Sequence, residues 1–120
     1  MTSTTTTNSF AFSLHEKIEY PEGGVLSKVL LKDNNCQHTL FCLAAETTIS
    51  EHTSTRNAVI NVIEGEGVLT LEGEEITLKP GVFVFMRANA PHALNARQNL
   101  AFLLTLSESP TQPPGVQTPG

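Results

Sequence analysis

The chain has no tryptophan, one tyrosine and only two cysteines, and its seven Lys and Arg residues stand against twelve Asp and Glu. Cys36 and Cys42 are six positions apart. That spacing is neither a C-x-x-C metal knuckle nor the dense cysteine framework of a small secreted domain. Both are read as ordinary thiols, with Cys42 buried like a small apolar residue. The basic residues Lys17, Lys28, Lys32, Arg56, Lys79, Arg87 and Arg97 are scattered, and the formal net charge is -5. A phosphate-tracking surface needs clustered cations, so a nucleic-acid partner is not expected. No apolar run approaches the roughly 20 residues that span a bilayer, so no membrane partner is expected either. The start MTSTTTTNS has neither a basic opening nor an apolar centre, and its hydroxyl run is too short for a transit peptide. A soluble, cytoplasmic protein is the default expectation.

What is present is a rhythm. The 120 residues suffice for one domain. Residues 1–9, rich in threonine, and residues 107–120, rich in proline, are expected to be unstructured tails around a domain at 10–106. Within it, apolar residues alternate or run continuously and are broken about every ten residues by turn signals, which suits an all-β sandwich or barrel. Strands are expected at 25–31 and 38–45, on either side of a turn at 32–35. Residues 58–63 lead through the glycine turn Glu64-Gly65-Glu66-Gly67 into 68–71, and Glu72-Gly73-Glu74 leads into 76–78. The acidic turns are read as solvated hairpin tips. Lys79-Pro80-Gly81 introduces VFVFM at 82–86, a continuous apolar run suited to a strand covered on both faces. Residues 93–104 also carry a helical stripe, Ala93, Ala96, Leu100 and Leu104. Pro91 and the β-rich ending LAFLLTL favour a short strand at His92, a turn at 97–99 and a last strand instead.

Two histidines flank this run, His52 in EHTSTR and His92 in ANAPHAL. With VIEGEGVLTLEG, LKPGVFVFM and APHAL in that order, residues 38–106 resemble the cupin superfamily, specifically its small single-domain, conserved-barrel members. The first cupin motif, G-x5-H-x-H-x3,4-E-x6-G, places Glu46, His52, Ser54, Ala58 and Gly65 at its named positions. The second, G-x5-P-x-G-x2-H-x3-N, places Gly81, Arg87, Asn89, His92 and Ala96. His52, Gly65, Gly81 and His92 keep the family's residue, and the fifteen residues from Glu66 to Pro80 form a short linker between the motifs. The resemblance implies a double-stranded β-helix, the jelly-roll barrel of cupins, and the homodimer that cupins commonly form. In members with a full ligand set, three histidines and a glutamate hold a divalent metal. Here the carry-over gives His52 and His92 alone, because Ser54 and Ala58 replace the other two ligands. Two protein ligands would hold Fe, Mn, Ni or Zn only weakly. The remaining candidates to complete a set are His38, Cys42, Glu46 and Glu51.

Strand alternation adds a ligand reading. If His52 points inward, Ser54 and Arg56 share its face while Glu51 and Thr53 do not, unless a bulge intervenes. His52, Ser54, Arg56 and His92 then line a pocket in which a guanidinium and two imidazoles receive a small-molecule ligand bearing a carboxylate or other planar anion. Against this stand plainer roles: pocket histidines that only satisfy backbone groups, a solvated Arg56, and an Arg87 that emerges at the surface. His15 and His38 have no partner spacing. Three functions are therefore weighed: a barrel binding a small organic ligand, a metal-dependent oxygenase, isomerase or decarboxylase, and an interaction module whose segment 10–31 pairs across a dimer.

Overall fold

Along Ala58–Glu64 the buried residues are Ala58, Ile60 and Val62, every second position. A strand with that pattern lays one face on a core and leaves the other to a second layer or to solvent. The computed structural model describes residues 8–107 and builds the core from such strands. In order they are β1 (Val25–Lys32), β2 (Cys36–Leu43), β3 (Thr48–His52), β4 (Ala58–Glu64), β5 (Gly67–Leu71), β6 (Glu74–Leu78), β7 (Phe83–Met86), β8 (His92–Ala96) and β9 (Leu100–Ser107), after a single 3-10 turn at Leu14–Lys17. One sheet has the order β1-β2-β9-β4-β7 and the other β3-β8-β5-β6. Every pairing is antiparallel. Neighbours in space are distant in sequence, as β9 lies between β2 and β4. The architecture is all-β, a double-stranded β-helix.

The two sheets close on Leu43, Ile60, Leu69, Leu78, Leu94, Leu100 and Phe102. Full burial of each large apolar side chain contributes about 1.5–3 kcal/mol. The segment 93–104, for which a helix competed, is strand, turn and strand: Leu94 and Ala96 bury from β8, Leu100 and Phe102 from β9. The expected tails, at 1–9 and 107–120, fall mostly outside the described residues, and Ser107 itself ends β9.

Four turns use left-handed backbone at the glycine positions of the two motifs: Glu46 (φ 71°), Gly65 (φ 94°), Gly81 (φ 92°) and Asn89 (φ 67°). Glu46 and Asn89 therefore carry side chains where glycine would be relaxed. Gly65 is constrained twice, because a Cβ there would stand 2.7 Å from Leu100 Cα and 2.8 Å from the Asn99 carbonyl carbon. The glycine lets the β4–β5 turn rest on the turn that starts β9.

Two expectations are corrected. VFVFM is not covered on both faces: Val84 and Met86 are buried, but Phe83 and Phe85 are 63% and 55% exposed. The reason is position, since among the described residues β7 ends its sheet with β4 as its one strand partner and no layer covers its outer side. The other correction concerns Glu64 to Glu66, which are half-buried rather than a solvated tip. On the outer face Leu40, Cys42 and Ala101 form a second core, covered by Ile18, Tyr20, Leu30 and Ile63. The Tyr20 hydroxyl donates to Glu64 Oε2 at 2.6 Å. Burial and then the Glu64 carboxylate push the Tyr20 pKa well above the usual phenol range. The tip at Glu72 to Glu75 is exposed as expected.

Candidate ligand pocket

His52 closes β3 and His92 opens β8, and the register sets them opposite one another. Between Ile49 and His52 the ladder shifts: Ile49 faces Leu94, yet His52 faces His92, three residues on one strand for two on the other. Such a bulge re-aims the end of a strand. It brings the two rings together, with centroids 4.2 Å apart and planes at 60°. His52 Nδ1 lies 2.9 Å from the Ser50 carbonyl oxygen, and His92 Nδ1 lies 2.8 Å from that of Ala90. A carbonyl oxygen only accepts, so both Nδ1 atoms donate, and in the neutral ring Nε2 carries the lone pair.

Beyond the bulge the chain is pinned by backbone bonds. Arg56 N–H donates to Ser54 Oγ at 3.1 Å, and Ala88 N–H donates to Asn57 Oδ1 at 2.8 Å. Asn89 N–H donates to the Ser54 carbonyl at 2.6 Å, tying the β3–β4 loop to the β7–β8 loop. His52, Ser54, Arg56 and His92 all line one cavity of about 210 Å³. Its walls are Ala58, Met86, Leu104 and Leu106, and Arg87 joins the polar rim.

Arg87 is a lining residue that sequence reasoning placed only at the surface. Its side chain is more than half exposed, yet it reaches the cavity while Nη2 holds Glu72 Oε1 at 2.9 Å and Nη1 donates to the Ala88 carbonyl at 3.2 Å. Its place, where the cupin motif has proline, was the one available signal. A second compartment of about 180 Å³ continues inward past His52, Met86, His92 and Leu104. Phe41 and Phe102, stacked at 5.3 Å, Leu69 and Leu94 help to line it. The pocket is thus polar at one end and apolar at the other.

A metal's fit is limited by donors. Among the described residues no three His, Cys, Asp or Glu side chains converge on one point. Cys42 and His38 belong to the outer face of the five-stranded sheet, and Glu46 and Glu51 are exposed. Two imidazoles do not supply the three or four ligands of a tight site.

A cupin-domain family model matches residues 39–106. The chain belongs to the cupin superfamily. Among solved structures, this cupin is similar to a cupin 2 conserved barrel domain protein from Leptotrichia buccalis, at 32% identity over 80% of this chain and 47% of that one, with a TM-score of 0.74. It is also similar to a cupin superfamily protein from Desulfitobacterium hafniense, at 24% identity over 86% and 94% of the two chains, TM-score 0.76. A conserved protein of unknown function from Streptococcus pyogenes gives 23% identity over 88% and 93%, TM-score 0.76. No curated protein matches the chain. Among the described residues no helix is long and apolar enough to cross a membrane.

Proposed function

We propose that this cupin binds a small organic anion in its barrel, with the charged group at the rim and an apolar body in the inner compartment. The observation that carries the reading is the two-ended pocket, in which Arg56, Arg87, Ser54 and two imidazoles stand above Met86, Leu104 and the Phe41–Phe102 stack. A guanidinium presents paired donors to a planar anion, and a desolvated aromatic floor favours a ring or short chain. An apolar cavity of about 150 Å³ accommodates benzene, so a single substituted ring fits these dimensions. Calorimetric titration with benzoate and with neutral benzamide tests the charge requirement. Benzoate binding that weakens several-fold in Arg56→Ala or Arg87→Ala supports the proposal, and equal binding of benzamide, or of neither compound, overturns it.

A second reading, a divalent metal held by His52 and His92, has one observation in its favour. Both rings anchor Nδ1 on a backbone carbonyl, the arrangement that prepares Nε2 for a metal. Metal analysis of protein purified without chelator separates the two readings. About one ion per chain, lost in His52→Ala, would favour the metal. The proposed homodimer uses β1, an edge strand whose Val25 and Val29 are exposed, as are Phe10 and Phe12.

A further inference from the structure

Outside the barrel, at the open end of β2, Cys36 Sγ lies 3.1 Å from His38 Nε2, and His38 Nδ1 lies 3.1 Å from Thr105 Oγ1 on β9. Alternation puts Cys36 and His38 on the same face two residues apart, and β9 supplies Thr105 directly opposite His38. The imidazole is thus held at one nitrogen and offered to sulfur at the other. This is the arrangement of a nucleophile, a base and the group that orients the base. The thiol is also fixed from below, since Asp33 Oδ1 accepts the Cys36 N–H at 3.0 Å and the Asp33 N–H donates to the Cys36 carbonyl at 3.0 Å.

We propose that Cys36 and His38 form a thiol–imidazole pair that takes a low-molecular-weight disulfide, making Cys36 an S-thiolation site. Cys36 and His38 are half-buried rather than sealed. An open groove of about 450 Å³ runs beside them, lined by Asn8, Ser9, Phe10, Leu31 and Asp33. Leu31 is the register partner of His38, so the groove adjoins the pair. In the exchange the Cys36 S–H proton passes to His38 Nε2 as the sulfur attacks one sulfur of the disulfide. A new S–S bond forms, the old one breaks, and the departing thiolate takes the proton from His38. The protein thiol is oxidised and half of the disulfide is reduced, with no other reactant. Asp33 is the charged group facing the pair. Its carboxyl is held below the usual range by the Cys36 and Asn35 amides, with His38 also lowering it, so an anion stands beside the imidazole that takes the proton.

Cys42, the other free cysteine, is fully buried and serves as an internal control. The test uses the full chain and 5,5′-dithiobis(2-nitrobenzoate), whose released thiolate absorbs in the visible, followed by oxidised glutathione and mass measurement. One thiol per native chain should react, and Cys36→Ser should abolish the reaction. An ordinary thiol is only a few per cent thiolate at neutral pH, so His38→Gln should slow the reaction about tenfold at pH 7. Its pH–rate profile should move toward that of a free alkyl thiol. Thr105→Val, which keeps both reacting groups but removes the anchor on Nδ1, should give a smaller slowing and the same direction of change. Circular dichroism checks that each variant retains the fold, and the Thr105→Val result stands if His38→Gln does not. An unchanged rate and profile in a folded variant of either residue would overturn the proposal, as would equal reaction at Cys42.

Discussion

Replacing Gly65 by alanine should separate two costs that glycine avoids, one of backbone conformation and one of space. Gly65 has φ 94° and Gly73 has φ 86°, so alanine at either site is forced into left-handed backbone, which costs about 1–2 kcal/mol. Their surroundings differ. Around Gly73 a Cβ meets nothing within 4 Å, whereas at Gly65 it would lie 2.7 Å from Leu100 Cα, a backbone atom that no rotamer change can move aside. Displacing the turn at Asn99 and Leu100 adds an overpacking cost of about 1–3 kcal/mol, so Gly65→Ala should lose about 2–5 kcal/mol in all. That is a large part of the 5–15 kcal/mol that holds a typical domain together. Urea unfolding followed by circular dichroism measures both variants, and the midpoint of Gly65→Ala should fall below that of Gly73→Ala by about 1 M or more. The displaced turn starts β9, whose Leu104 and Leu106 wall the cavity, so benzoate affinity should fall as well. Equal midpoints for the two variants would refute the argument that close packing, rather than φ alone, demands glycine at position 65.

Three further outcomes follow from other parts of the molecule. Tyr20 has a pKa raised above its unfolded value of about 10, so the stability it confers is complete below that value and is lost as pH climbs past it. Alkaline thermal scans should show a steeper loss in the native protein than in Tyr20→Phe, and parallel curves would refute the raised Tyr20 pKa. Glu46, at φ 71° and exposed, should accept glycine with a gain of about 0.5–1 kcal/mol, while Glu46→Ala should give none; chemical denaturation decides it. Sedimentation at micromolar concentration should find a dimer, and Val29→Lys on the exposed edge of β1 should weaken it. A native monomer would end that proposal.

How much of this was legible in the residues depends on whether the signal was local. Period-two burial in 58–63 and glycine punctuation are local, and they placed every strand but β3, which carries His52, within a residue or two. The same local signal misread VFVFM, because an apolar run says that a strand is apolar and not where it sits in the sheet. Only the topology shows β7 at an edge with Phe83 and Phe85 uncovered. Glu64 failed similarly, since its partner Tyr20 lies 44 residues away. The pairing of Cys36 with His38 needed no long-range information, being two residues apart on one strand, but their third member, Thr105, was invisible until β9 was laid beside β2.

Backbone conformation outlasts residue identity in this barrel, and the two motifs show why. Glu46 and Asn89 stand where the cupin pattern has glycine, and both keep the left-handed φ that the turn requires. The turn is held by bonds that do not involve those side chains: Glu46 N–H donates to the Ala96 carbonyl, and Asn89 N–H donates to the Ser54 carbonyl. The conformational cost is thus imposed by the closure of β3 against β8, the same closure that sets His52 opposite His92. At the ligand positions no such constraint applies. Ser54 and Ala58 replace metal donors without disturbing the ladder, and Arg87 replaces a proline and reaches the rim. The scaffold that brings the imidazoles together thus does not depend on metal donors at positions 54 and 58, and the proposed anion binding would rest on the guanidinium groups lining the rim.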